Sequence, residues 1–442
     1  MNIYALSSGR GPSGIAIIRL SGKNAKKISK LITKENNLKP KEINFCKFYD
    51  PSSNLLIDEG LLLSFPGPHS FTGDDLIEFH VHGSNAVISY FLKVLSEQDN
   101  CRLAEAGEFT KIAFQNNKID LLEAESIGDL IHSETEMQRQ QAVKLVQGNA
   151  SKYYNDLRDK LIKSLAYIEA KIDFAEDDLP DSILKEVKKS IKEVHSDIKK
   201  ILEDHKVGEK IRDGFRVSIL GEVNAGKSSL LNLLSKRDAA IVSEERGTTR
   251  DVIEVYLNIN GYPVILADTA GIRDSKDKIE KEGILRAINK SKESDLNLIM
   301  IDNSSKNIHD KIKNLIDEEC IVVLNKSDVD SKQNHNFNKA TVVLISVKNN
   351  TNVTQLIDKI KEKLSSKFIT SSNVLVTRER HRIKLNDCLE EIERFLKKDQ
   401  NKDIEMAAED LRLATRHLGA IVGKVDVEEI LDSIFKDFCI GK

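Results

Sequence analysis

Residues 221–228 read Gly221-Glu-Val-Asn-Ala-Gly-Lys-Ser228, which places two glycines, a lysine and a serine at the spacing of a phosphate-cradling loop. The glycines let backbone N–H groups turn toward phosphate oxygens. Lys227 brings a point charge to β- and γ-phosphates, and the Ser228 hydroxyl can ligate Mg²⁺. Further along, Asp268-Thr-Ala-Gly271 offers a carboxylate that can hold Mg²⁺ through water and a glycine N–H that can meet a γ-phosphate. Asn325-Lys-Ser-Asp328 ends in a carboxylate able to accept two N–H bonds from guanine, a pattern adenine cannot supply. Ser346-Val-Lys348 can close over the base. Asn-Lys-x-Asp alone is more often a helix cap or a turn. In this order the elements describe a guanine-nucleotide site with hydrolytic chemistry.

The hydrolytic step is less legible. In Ras-type GTPases a glutamine after Asp-x-x-Gly orients the attacking water. Ile272 stands there and cannot. Gly247-Thr-Thr-Arg-Asp251 lies where a switch loop belongs, with Thr249 a candidate second Mg²⁺ ligand. Arg250, Arg273 and Glu280 are nearby charged groups, and spacing does not choose among them.

The elements that must hold these residues follow from patterning. From Phe215 to about Lys367 strand and helix alternate: Arg216-Val-Ser-Ile-Leu is a strand and Lys227 to Leu234 a helix. Val252 to Ile259 and Val264-Ile-Leu-Ala form a hairpin across Gly261-Tyr, and the apolar runs at 296–301, 321–324 and 342–345 suit buried parallel strands. From about Asp120 to Asp213, and again from Arg378 to Phe438, apolar residues recur at helical spacing, predicting one discontinuous helical bundle. Before Lys118, short β-type runs at 15–20, 45–49, 61–65 and 76–81, with a helix over Asn85 to Ser96, predict a small α+β domain.

Composition agrees with several soluble domains. The chain has 442 residues, 40% hydrophobic and 31% charged, with net charge -3, and 442 residues exceed what one core usually organises. No apolar run approaches a membrane span, and the start lacks the pattern of a signal peptide, so a cytoplasmic protein without membrane attachment is expected. The five dispersed cysteines make neither a disulfide framework nor a zinc site. Three weaker signals are set aside. Gly9-Arg-Gly-Pro-Ser-Gly14 imitates a dinucleotide loop, but a β-branched strand follows it instead of a helix. Glu78, His80 and His82 share a strand face without any further metal-site pattern. Gly419-Ala-Ile-Val-Gly423 reads as close helix packing.

Asn224-Ala-Gly-Lys-Ser-Ser229, Gly247-Thr-Thr-Arg-Asp251, Asp268-Thr-Ala-Gly-Ile272, Phe65-Pro-Gly-Pro-His-Ser-Phe-Thr-Gly73 and the final Cys439-Ile-Gly-Lys442 together resemble the MnmE (TrmE) family of tRNA-modification GTPases, along essentially the whole chain. The resemblance implies a Ras-like P-loop G domain at 214–370, inserted in a discontinuous helical domain at 119–213 and 371–442. It also implies an N-terminal α+β domain at 1–118 for tetrahydrofolate binding and dimerisation. The family adds a (carboxymethyl)aminomethyl group at carbon 5 of the wobble uridine of certain tRNAs, with a flavoprotein partner, MnmG, and a tetrahydrofolate one-carbon derivative.

Carried over by position, nucleotide contacts fall on Asn224, Ala225, Gly226, Lys227, Ser228 and Ser229, and on Asp268, Thr269, Ala270 and Gly271. Others fall on Asn325, Lys326, Ser327 and Asp328, on Ser346, Val347 and Lys348, and on the loop Ser243, Glu244, Glu245, Arg246, Gly247, Thr248 and Thr249. Mg²⁺ would sit on Ser228 and Thr249, and K⁺ on Asn224 with Ser243, Glu245 and Thr248. The family's water-positioning glutamate matches Glu280, and an apolar Ile272 is then expected. One departure is Glu245-Arg246, where the family more often has apolar or small residues. Folate positions match Arg19, Glu78, Lys118 and Lys442. Cys439 could act as a nucleophile or redox group, or be an ordinary tail thiol. A ribosome-assembly GTPase switch is the alternative reading, although neither a KH-like module nor a second G domain is visible.

Overall fold

The computed structural model describes residues 1–9, 11–173, 182–222, 224–236, 254–268, 291–305, 308–329, 337, 340–368, 374–399, 403–425, 431, 434–436 and 438–441. The chain forms two compact units, one of residues 1–128, 145–159 and 415–442, the other of residues 129–144 and 160–414.

The first unit is built on a sheet ordered β3-β4-β5-β2-β1-β6, from β1 (Asn2–Leu6), β2 (Ser13–Ser21), β3 (Asn44–Tyr49), β4 (Leu56–Phe65), β5 (Leu76–Gly83) and β6 (Cys101–Leu103). Ile15 to Leu20 is strand, as its β-branched run predicts, so the glycines before it open no dinucleotide fold. The helix Asn85–Ser96 occupies the predicted span, and the Ser84 hydroxyl accepts from the Val87 N–H to cap it. Ile18, Leu20, Leu62 and Ile77 alternate into the core, where Phe48, Phe79 and Phe91 meet with centroids 4.9–5.6 Å apart. β1 and β6 pair in parallel, a connection the sequence pattern does not reveal because both runs are short.

The C-terminal tail closes this unit. Phe435 and Phe438 pack with Leu121 and Ala124. Ile440 bridges Ala106, and the Ser7 hydroxyl donates to the Gly441 carbonyl at 2.8 Å. Gly441 has φ 99, and a Cβ there would lie 2.2 Å from the Leu6 carbonyl oxygen, so only glycine fits. Gly423 follows the helix Ile404–Val422 with φ 83 and lies close against Phe114 and Leu121 of two other helices.

The second unit carries a sheet ordered β12-β11-β10-β7-β9-β8, from β7 (Phe215–Gly221), β8 (Glu254–Ile259), β9 (Tyr262–Asp268), β10 (Leu296–Asp302), β11 (Ile321–Asn325) and β12 (Thr341–Leu344). Only the β8–β9 hairpin pairs antiparallel, as the turn residues predict. Apolar residues point to both faces. Val217, Ile219, Leu298 and Val323 cluster with Leu230, Leu234, Leu356 and Ile360 from the helices Lys227–Ser235 and Val353–Phe368, while Ile299, Ile301 and Val322 cluster with Ile308 and Ile312. A parallel sheet buried on both sides requires such strands.

In the helical part of this unit, Ser182–Leu202 packs against Glu379–Lys397, burying Val187, Ile191, Val194 and Ile198 from the first and Leu385, Cys388, Ile392 and Phe395 from the second. One helix from each of the two distant helical stretches thus pairs with the other, while residues 145–159 and 415–442 of those stretches belong to the first unit. Arg382, 7% exposed, donates to both carboxylate oxygens of Glu209 at 2.9 and 2.7 Å and to Asp204 at 2.8 Å. Replacing Arg382 by alanine strands these carboxylates and is expected to cost about 3–5 kcal/mol. The midpoint of chemical denaturation measures it, and an unchanged midpoint would show that the network contributes nothing.

Candidate nucleotide site and the folate-position cluster

The phosphate loop runs from the C-terminal end of the central strand β7 into the helix Lys227–Ser235. Parallel strands end their chains at the same edge, so the tips of β7, β10 and β11 come together. Lys227 Nζ donates to the carbonyls of Gly221 at 2.8 Å and Glu222 at 2.7 Å, which holds its charge over the loop. Ser228 and Ser229 are both exposed in the first helical turn, where the helix dipole favours an anion. Asn224, in the left-handed region at φ 64, is exposed beside buried Ala225.

Asn325 ties this loop to the base-side segments. It is 4% exposed, and its Nδ2 donates to the Ala225 carbonyl at 2.9 Å. Its Oδ1 accepts from the Val347 N–H at 3.1 Å. The fit is tight: Gly226 has φ 100, and a Cβ there would fall 2.4 Å from Asn325 Nδ2. Lys326 Nζ pairs with Asp302 at 2.5 Å, at the end of β10. Sequence patterning does not single out Asp302; its signal is a charge closing an otherwise apolar strand. The Ser327 N–H donates to the Ile345 carbonyl at 3.0 Å.

Asp328 is exposed, with its Oδ1 accepting from the Ser346 hydroxyl at 2.6 Å. That hydrogen bond holds its carboxyl below the usual carboxylate range, with Lys348 and Lys326 assisting. At neutral pH it is thus an ionised acceptor, as recognition of two N–H groups requires. The structure brings together Asn224, Ala225, Gly226, Lys227, Asn325, Lys326, Asp328, Ser346 and Val347. Asp268 ends β9, its Cα in register with Ile219 of β7. Ser243, Glu244, Glu245, Arg246, Gly247, Thr248, Thr249, Thr269, Ala270, Gly271 and Glu280 lie outside the described residues.

A second cluster lies in the first unit. Arg19 on β2 and Glu78 on β5 face each other in register, with Arg19 Nη2 and Nε at 2.8 and 3.1 Å from Glu78 Oε1. The guanidinium carbon is 5.6 Å from the Phe109 ring centroid. His82 Nδ1 bonds Asp58 at 2.9 Å, while His80 Nε2 lies 3.6 Å from the other Glu78 oxygen, near it without a hydrogen bond. Ser21 bonds Thr72 at 2.7 Å, and the Lys118 side chain lies against the adjacent Gly73. Cys439 is exposed, and its carbonyl accepts from the Gly107 N–H at 3.4 Å. Lys442 lies outside the described residues.

Residues 2–118 match the family model for the GTP-binding protein TrmE N-terminus, and residues 121–439 match that for the MnmE helical domain. The chain is 57% identical over 443 residues to the tRNA modification GTPase MnmE of Pelagibacter ubique (strain HTCC1062), covering 100% of both chains. It is 44% identical to the protein of the same name from Rickettsia bellii (strain RML369-C), over 100% of this chain and 99% of that one. Among solved structures, a point variant of Aquifex aeolicus Era bound to GDP·AlF4⁻ aligns at 25% identity over 40% of this chain and 66% of that chain, with a TM-score of 0.26.

Proposed function

The chain belongs to the MnmE (TrmE) family of tRNA modification GTPases and hydrolyses GTP in that role; from this membership we propose that it is a K⁺-dependent GTPase which, with the flavoprotein MnmG, adds a (carboxymethyl)aminomethyl group to carbon 5 of the wobble uridine. The observation that carries the nucleotide part is the Asn325 clamp, which joins the phosphate loop to the segments around Asp328 and Ser346. A site built this way recognises phosphate and base as one rigid unit.

In this reading, residues 214–370 form the G domain, inserted between helical parts at 119–213 and 371–442, and residues 1–118 bind folate and dimerise. Lys227 and the backbone around Gly226 hold the phosphates, Asp328 reads guanine, and Ser346 to Lys348 cover the base. The Ser228 hydroxyl, in the first helical turn, suits Mg²⁺, with Thr249 as its second ligand. Asn224, an exposed residue of the loop, suits K⁺, with Ser243, Glu245 and Thr248. A fixed cation there supplies positive charge where the transition state accumulates negative charge. Glu280 orients the attacking water. Arg19, Glu78, Lys118 and Lys442 hold the tetrahydrofolate derivative, cations suiting its glutamate tail and the carboxylate its pterin N–H edge. Cys439 is exposed on a tail held beside β1, as a reacting thiol needs. No helix among the described residues is long and apolar enough to cross a membrane, and a cytoplasmic location fits the tRNA substrate.

Mass spectrometry of wobble nucleosides from cells lacking the protein tests this function. Loss of the carbon-5 modification is expected, and an unchanged nucleoside profile would eliminate it. For the cation, hydrolysis should run at least about tenfold faster in K⁺ than in Na⁺; equal rates would remove K⁺ from the mechanism.

A further inference from the structure

The helix Ser182–Leu202 divides its faces sharply. Its inner stripe is Val187, Ile191, Val194 and Ile198. Stepping 100° per residue, Lys185, Lys188, Lys189, Lys192, Lys199 and Lys200 all fall outside that stripe, from its flank at Lys188 round to the far side, and all are exposed. Among the described residues none of them has an ion-pair or hydrogen-bond partner. Elsewhere helical lysines are commonly paired within a turn, as Lys359 is with Glu362, Lys384 with Asp387 and Lys397 with Glu393. Here the i,i+4 neighbours of Lys185 and Lys188 are Lys189 and Lys192, like-charge pairs that work against the helix. Lys185, Lys188, Lys189 and Lys192 line a shallow groove with Glu193 and Ser196.

We propose that this lysine ridge is the docking surface for the sugar–phosphate backbone of the tRNA, outside the nucleotide and folate-position clusters. The proposal rests on the tRNA-modifying role stated above. Charge complementarity favours RNA over a protein: the outer face carries six ammonium groups against the two carboxylates of Glu186 and Glu193, and no aromatic or large apolar anchor, whereas protein interfaces are depleted of lysine and depend on such anchors. The ridge from Lys185 to Lys200 is about 22 Å long, enough for several successive phosphates. An otherwise slightly acidic chain, at net charge -3, needs such a local patch to hold a polyanion. Contacts of this kind fix position without reading sequence.

The test is titration of a fluorescent, unmodified tRNA transcript bearing a wobble uridine against the full-length chain at several salt concentrations. The variant is Lys185→Gln, Lys188→Gln, Lys189→Gln and Lys192→Gln combined. The expected result is on the order of a 10²-fold loss of affinity at low salt, with the slope of log K against log salt shallower by about 3–4. GTP hydrolysis should be unchanged, and the corresponding four-arginine variant should retain binding. Wild-type binding that persists undiminished in the glutamine variant overturns the ridge alone. So does a variant that keeps tRNA but no longer captures the flavoprotein, which would make the ridge a protein interface. A wild-type chain that binds no tRNA overturns the tRNA-modifying role, and the ridge with it.

Discussion

Replacing Asp328 by alanine is expected to abolish the preference for guanine over adenine nucleotides, a change on the order of 10³–10⁴-fold. The carboxylate is ionised and aimed by the Ser346 hydroxyl at 2.6 Å. Guanine offers it two N–H donors, whereas adenine meets it with an unprotonated ring nitrogen. An ionised acceptor facing another acceptor is penalised twice, by repulsion and by lost hydration, so selectivity of this kind is steep. Alanine removes both the attraction and the penalty, and GDP and ADP affinities should converge in calorimetry. Asp328 is solvent-exposed, so the fold should survive and the loss can be read as recognition. A variant that still strongly prefers GDP would mean that the base is read elsewhere.

Glu280→Ala should lower GTP turnover by about 10²–10⁴-fold while leaving nucleotide affinity within about threefold. The argument begins with Ile272, whose side chain has no group to orient a water where Ras-type GTPases use glutamine. Some other acceptor must do so, and the family resemblance proposes Glu280 for it. Because it would act on the water and not on the nucleotide, its loss should appear in single-turnover hydrolysis and not in the dissociation constant. Parallel loss of affinity and turnover would instead make Glu280 a residue that shapes the binding site.

The legible parts of this chain were those governed by short-range rules. Glycine spacing before Lys227, between a β-branched strand and a helix, is local, and β7 and the helix Lys227–Ser235 lie where it requires. The hairpin across Gly261 is equally local. The short strand before Gly9 is β1, but Asn2-Ile-Tyr-Ala-Leu6 is too short for its period to show which neighbours it takes, and those prove to be β2 and β6. The helix Ala25–Thr33 shows little period for a similar reason, since its burial rests on Ile28 and Ile32 alone among large apolar side chains.

Alone, the sequence determined which chemical groups are available and in what local frame: a phosphate loop, an acceptor for guanine, an apolar residue where a glutamine is common, and a helix rich in lysines. Only the tertiary structure decided which of them meet. Asn325 reaches Ala225 across 100 positions, and Arg19 finds Glu78 across 59. No periodicity encodes such pairings, because they arise from sheet order and strand register, which depend on how whole faces bury their apolar side chains.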